Sequence, residues 1–238
     1  MIPTERRGFI AATIRAVLFD LDGTLADTAA DLACALNRLR GEYRRAPLPP
    51  ESMRRHTSSG ARGLLKAGFD LDPGDQGYIP LRDRFLELYE QALCVHTRLF
   101  TGMPELLDDL EQRGVPWGIV TNKAQRFTDP LIRELRLHAR AACVVSGDTT
   151  AKPKPAPDPL LHAAELIGIA PSACLYVGDD LRDVQGARAA GMPVAAAGWG
   201  YLGDETDPET WGADVVIAHP AEVLGFLEYP RQHPTPSK

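Results

Sequence analysis

The sequence predicts an α/β protein: a parallel sheet covered by helices on both faces, with a helical insertion after its first strand. Two observations carry this prediction. Short apolar runs with little alternation recur along the chain, each closing on polar or glycine residues, as expected of strands buried on both faces. Between the later runs lie helical patterns of roughly ten residues, and such alternation means βαβ units.

The strands are expected, in order, at Ala16–Phe19, Trp117–Val120, Cys143–Val145, Leu175–Val177, Val194–Ala197 and Val215–Ile217. Most are rich in Val, Ile or Ala. The helices between them are expected at Pro104–Gln112, Phe127–Leu137, Pro159–Ile167 and Asp183–Ala190. From about Ala29 to Leu99 the alternation stops. Helical patterns at Asp31–Arg40, Glu51–Ala67 and Ile79–Leu93 are joined by Pro47, Pro49, Pro50, Pro73 and Gly74, with no convincing strand. The expected division is therefore a core of residues 1–28 and 100–229 and a helical cap of residues 29–99. The final residues, 230–238, are Pro-rich and polar, and a disordered tail is expected there.

Composition narrows the classes. The apolar fraction is 44% and the charged fraction 24%, ordinary for a globular protein. The net charge of −6 gives no electrostatic footprint for nucleic acid. No apolar run approaches the ~20 residues that span a bilayer, and the N-terminal stretch lacks the pattern of a signal peptide. Cys34, Cys94, Cys143 and Cys174 form no C-x-x-C motif and are too sparse for a disulfide framework. No H-x-x-x-H pair points to a zinc hydrolase. A cytoplasmic protein is expected; monomer and dimer both remain open.

Polar residues gather just after the strands, the edge where parallel sheets bind ligands. Asp20-Leu21-Asp22-Gly23-Thr24 follows the first strand. Two carboxylates at i, i+2 can share a divalent cation, one attacking while the other handles protons; Asp and Thr are also ordinary turn residues. A calcium loop fails, since its twelfth position would be Asp31 and its sixth Leu25. Asp70–Asp75 fails the same pattern. Thr121-Asn122-Lys123 ends a second strand; its hydroxyl and nearby N–H groups can hold a phosphate oxygen or cap a helix. In Ala151-Lys152-Pro153-Lys154-Pro155-Ala156-Pro157-Asp158-Pro159-Leu160 the alternating prolines are expected to stiffen the chain near polyproline geometry and aim a lysine. Val177-Gly178-Asp179-Asp180-Leu181-Arg182-Asp183 ends a strand in carboxylates that repel unless a cation joins them, or that cap the next helix.

Together these motifs, in this order, resemble the haloacid dehalogenase superfamily of phosphohydrolases, over nearly the whole chain. The resemblance implies a Rossmann-like core with an inserted α-helical cap. It is closest to bacterial phosphoglycolate phosphatases and their sugar-phosphatase relatives. The segments SSGARGLL, LFTGMPELL, WGIVTNK and VGDDLRDVQGARAAGM are also similar to N-acetylmuramic acid 6-phosphate phosphatases. The resemblance implies hydrolysis of a small phosphorylated metabolite with Mg²⁺. Asp20 would be the nucleophile and Asp22 the acid and base. Thr121, Asn122 and Lys154 would bind the phosphoryl group, Lys154 being preferred to Lys152 for its longer K-P-x-P match. Asp20, the Asp22 carbonyl and Asp179 would hold the metal. Asp183 would orient the metal ligands from behind, assisted by Asp180. Arg62 is the candidate for gripping a substrate carboxylate.

Other readings compete. Haloacid dehalogenation typically lacks the second aspartate, so Asp22 favours a phosphatase. A phosphomutase would carry the same motifs, and a catalytically inactive relative would be expected to lose some of them. Gly198-Trp199-Gly200-Tyr201-Leu202-Gly203 matches the dinucleotide pattern G-x-G-x-x-G. Asp204, Glu205, Asp207 and Pro208 after it do not read as a long helix, so a rim loop of the active site is expected instead.

Overall fold

The computed structural model describes residues 13–203 and 207–227. The chain opens on strand β1 (Ala16–Phe19), turns through the short β2 (Ala26–Asp27), and enters helix α1 (Ala29–Glu42). Helices α2 (Pro50–Met53), α3 (Gly60–Phe69) and α4 (Tyr78–Glu90) follow, then β3 (Arg98–Leu99). Beyond it come α5 (Met103–Gln112), β4 (Trp117–Val120), α6 (Gln125–Glu134), β5 (Cys143–Val145) and α7 (Asp158–Ile167). The last elements are β6 (Cys174–Gly178), α8 (Leu181–Ala189), β7 (Val194–Ala197) and β8 (Val215–Ile217).

Six strands form one sheet in the order β5-β4-β1-β6-β7-β8, every neighbour parallel. The side chains of β1 show why the run is apolar throughout. Val17 and Phe19 enter the core on one face, with Leu106, Leu107 and Phe127 of α5 and α6. Ala16 and Leu18 enter a second core on the other face, with Leu160, Ala163 and Val184 of α7 and α8. A strand sandwiched this way has no polar face to offer, so the period-2 signal vanishes. From β1 the strand order runs outward both ways, through β4 to β5 and through β6 to β8. The crevice for a ligand therefore lies at the carboxyl ends of β1, β4 and β6.

The sequence places the six sheet strands, and the helices between them to within two residues except at the end of α6, which stops at Glu134, three residues before the expected Leu137. Two local expectations are corrected. The segment 29–99 does contain a strand: β3 pairs antiparallel with β2, Ala26 opposite Leu99 and Asp27 opposite Arg98. Two residues are too few to show a period. The helix expected over Glu51–Ala67 is broken into α2, a 3-10 turn at Arg54–Ser59, and α3. Thr57, Ser58 and Ser59 compete with the backbone for its hydrogen bonds, and Gly60 takes a φ of 56°. The expected tail at 230–238 lies outside the described residues, as does residue 229. No helix among the described residues is long and apolar enough to cross a membrane.

Candidate active site

Asp20 follows β1 directly, its N–H bonded to the Val177 carbonyl of β6 at 2.9 Å. The chain then reverses in a tight turn, with Leu25 N–H returning to the Leu21 carbonyl. Gly23 makes the turn at φ 87°, and a Cβ there would collide with the Asp179 carboxylate. Asp179, after β6, is fixed from two sides. Thr24 Oγ1 donates to its Oδ1 at 3.0 Å and Tyr201 N–H to its Oδ2 at 2.8 Å. Gly200 is the second close approach, since its Cβ would also strike Asp179. The glycine-rich loop after β7 thus serves as a wall of this site. Trp199 Nε1 donates to Thr24 O at 3.0 Å and ties the loop to the Asp20 turn. No long helix follows the loop in the described chain, which removes the context a dinucleotide site needs.

Oxygens of Asp20, Asp179 and Asp183 lie within 4.8 Å of one another. Burial raises the Asp20 pKa to about 7, Lys154 opposes this, and the Asp183 charge adds to it. Burial, then the charges of Asp20 and Asp183, push Asp179 well above the carboxylate range. Lys154 supplies one positive charge from below. Its Nζ lies 2.9 Å from Asp20 Oδ1, 2.6 Å from Asp183 Oδ1, 2.6 Å from the Tyr176 hydroxyl and 2.9 Å from the Val120 carbonyl. Burial opposes the Lys154 charge, but Asp183 and Asp20 raise its pKa above the ordinary lysine value. Three carboxylates around one ammonium remain negative in excess. All the donors are hard oxygens, which is the chemistry that Mg²⁺ or Ca²⁺ accepts.

The Lys154 loop departs from the expected polyproline geometry. It is a turn, with a cis bond between Lys154 and Pro155. Asn122 clamps it, its Oδ1 accepting from Lys154 N–H and its Nδ2 donating to Lys154 O, both at 2.9 Å. Lys152 is exposed, whereas Lys154 is buried. Thr121 is buried at the end of β4, its Oγ1 accepting from Lys123 N–H at 3.1 Å.

Asp22 sits above the trio. Thr28 Oγ1 donates to its Oδ1 at 2.5 Å, and Lys123 Nζ contacts both oxygens at 2.9 and 3.1 Å. Lys123, which lines the cavity and pairs with Asp22, is a site residue that the sequence does not single out. Burial opposes its charge, yet Asp22 and then Tyr89 beside it hold its pKa above the usual value; its Nζ lies over the Tyr89 ring, 4.8 Å from the centroid. The available signal was its place in Thr121-Asn122-Lys123, at a strand end like the other site residues.

Two candidates lie elsewhere. Asp180 turns from the trio toward Arg182, whose Nε and Nη2 donate to it at 2.8 Å, and it caps α8 in a capping box with Asp183. Arg62 is exposed on α3 and is not among the residues lining the cavity over Asp20. That cavity encloses about 360 Å³. Asp20, Asp22, Thr121 and Asp179 form its floor, and Leu32, Ser58, Phe85 and Tyr89 of the helical segment form its roof.

Comparison with known proteins agrees with this geometry. The sequence profile of the haloacid dehalogenase-like hydrolases matches residues 17–197. An N-acetylmuramic acid 6-phosphate phosphatase of Pseudomonas putida is 42% identical over 215 residues, covering 90% of this chain and 96% of its own. A phosphoglycolate phosphatase of Xanthomonas campestris is 44% identical over 220 residues, covering 91% and 98%. Among solved structures, a HAD-superfamily hydrolase of Geobacter sulfurreducens superposes with a TM-score of 0.69 at 27% identity, covering 92% and 98%. A haloacid dehalogenase-like hydrolase of Streptococcus pneumoniae shares the fold, with a TM-score of 0.75 at 23% identity over 90% and 98%. With matching sequence and fold, the chain belongs to the haloacid dehalogenase-like hydrolase family.

Proposed function

We propose that the protein hydrolyses small organic phosphomonoesters through an aspartyl phosphate on Asp20. The observation that carries this reading is the pair Asp20 and Asp22 on one turn. Asp20 is held by Lys154 within the acidic trio, and Asp22 is held apart from it by Lys123 and Thr28. Two carboxylates in different surroundings can take different roles.

An Asp20 oxygen attacks phosphorus, and the bond from phosphorus to the leaving oxygen breaks. Asp22 gives its proton to that oxygen. Water then attacks the aspartyl phosphate, Asp22 takes the water's proton, and inorganic phosphate departs with Asp20 restored. Thr121 donates a hydrogen bond to a phosphoryl oxygen. Lys154, set in place by Asn122, offsets the negative charge. Asp183 keeps Lys154 in position, and Asp180 helps through the cap of α8. Asp20, the Asp22 carbonyl and Asp179 would hold Mg²⁺; when bound, the ion offsets the charge of the phosphate that must approach a carboxylate. Residues 29–99 act as a cap over a core of residues 1–28 and 100–229, shielding the reacting phosphoryl group from bulk solvent while admitting the one water that hydrolyses the intermediate.

Phosphoglycolate and N-acetylmuramic acid 6-phosphate, named for the relatives, are the first substrates to test. The four free thiols fit a reducing compartment such as the cytoplasm. The deciding experiment measures phosphate release with Mg²⁺ for the wild type and Asp20→Asn. The variant is expected to fold and to lose turnover by on the order of 10³-fold or more. Near-wild-type turnover in it refutes the nucleophile.

A further inference from the structure

Four basic side chains line the cavity: Lys123, Arg126, Lys154 and Arg182. Three are committed. Lys123 is paired with Asp22, and Lys154 with Asp20 and Asp183. Arg182 is paired with Asp180 and also donates to the Ser58 carbonyl at 2.6 Å. Arg126, in the first turn of α6, has no carboxylate partner among the described residues. Its contact is with a ring, the guanidinium lying 4.4 Å from the centroid of Phe127. A guanidinium laid over a ring keeps its edge donors for a planar anion, which it binds through two parallel hydrogen bonds. Arg62, chosen from the sequence for this task, does not line the cavity.

The roof adds a second requirement. Among the described residues, Ser58 Oγ and Tyr89 OH are buried with no partner at hydrogen-bond distance, and both residues line this cavity. A buried hydroxyl left unpaired is costly, so these positions favour a ligand that brings polar atoms to them. Around them stand Leu32, Phe85 and Leu86. The cavity's 360 Å³ lies in the range of small-molecule sites and leaves room for a ligand of sugar size.

We propose that Arg126 is the carboxylate receptor of the cavity. Its substrate is a phosphomonoester with a carboxylate on a sugar-sized body, which also offers hydroxyl or amide groups to Ser58 and Tyr89. This deepens the phosphatase reading and rests on it. The floor handles the phosphoryl group, and the wall formed by Arg126, Ser58 and Tyr89 selects the leaving group. Arg126 acts on specificity and takes no part in the bond changes.

The test compares kcat/KM on N-acetylmuramic acid 6-phosphate and on N-acetylglucosamine 6-phosphate, which lacks the lactyl carboxylate, with phosphoglycolate and p-nitrophenyl phosphate as further substrates. The wild type is expected to prefer the carboxylate-bearing sugar over both its neutral counterpart and phosphoglycolate. Arg126→Met is expected to reduce the preference between the two sugars by on the order of 10- to 100-fold, the worth of a charge-assisted pair, chiefly through KM. Arg126→Lys should keep part of it. Tyr89→Phe and Ser58→Ala should lower kcat/KM more for the sugar than for p-nitrophenyl phosphate. An unchanged ratio between the two sugars in Arg126→Met, with hydrolysis intact, overturns the assignment of Arg126 alone. A wild-type preference for phosphoglycolate overturns the sugar-sized leaving group. Absence of hydrolysis on every substrate overturns the phosphatase reading beneath both.

Discussion

Asp179 is closely confined. It is walled by Gly23 and Gly200, and bonded by Thr24 and by the Tyr201 backbone. Gly200→Ala would place a methyl group against this carboxylate without a strained φ, so the chain should fold while Asp179 is displaced. The expected result is a higher Mg²⁺ concentration for half-maximal activity, read from activity titrations, with far-UV circular dichroism unchanged. An unaltered Mg²⁺ requirement would remove Asp179 from the metal set. Asp22 lends itself to a different measurement. In the proposed reaction Asp22 protonates the leaving oxygen, so it matters most when that oxygen is basic. Asp22→Asn should slow the first step with an alkyl phosphate by on the order of 10²- to 10⁴-fold. It should slow it much less with p-nitrophenyl phosphate, whose leaving group needs no proton. Rapid-quench measurement of the first turnover separates the steps, and equal losses on the two substrates would count against the acid role.

The short elements decide which residues reach the site. Helix α8 begins at Asp180, whose side chain accepts from Arg182 N–H at 2.9 Å, while Asp183 Oδ2 accepts from Asp180 N–H at 3.1 Å. The second bond leaves Asp183 Oδ1 toward Lys154, so the capping box also sets the site. Asp180→Ala should cost about 1 kcal/mol and lower the Tm by about 2–4 °C, in a thermal melt, and Asp180→Asn should restore most of it. A melt unchanged in Asp180→Ala would deny the cap its structural role. The same elements show what can be read from a sequence. Strands such as β1, apolar at every residue because both faces are covered, are legible from composition. So are their ends, where Asp20, Thr121 and Asp179 begin the loops. Strand β3 is not, because two residues carry no period. The break at Ser58–Gly60 follows from weak helix formers whose combined effect depends on the roof they meet. The pairing of Lys123, whose strand-end position alone is legible, and the role of Arg126 are hidden for a further reason. Each residue owes its place to partners far away in the chain, Lys123 to Asp22 and Arg126 to a cavity closed by another helical segment.

At the scale of the whole molecule, the sheet order brings together more acidic groups than the chain supplies cations to offset. Asp20, Asp179 and Asp183 face one lysine ammonium, and Asp20 is held near pKa 7 chiefly by burial. A carboxyl group whose folded pKa lies above its unfolded value of 3.8 favours the fold in its protonated form. That contribution is fully present below about pH 4 and is lost as pH rises through about 7, so between these limits the metal-free protein is destabilised by this group as pH increases. A divalent cation held as proposed would reverse the balance, because it would bind the ionised carboxylates and displace the remaining protons. Mg²⁺ should therefore bind more tightly at pH 8 than at pH 6, and should raise the Tm by more at the higher pH. Calorimetric titration at pH 7 in two buffers of different ionisation enthalpy should give different binding heats, the difference reporting protons released. Equal heats in both buffers, with binding independent of pH, would mean that the carboxylates are already ionised without metal. Lys154 alone would then suffice to hold them together.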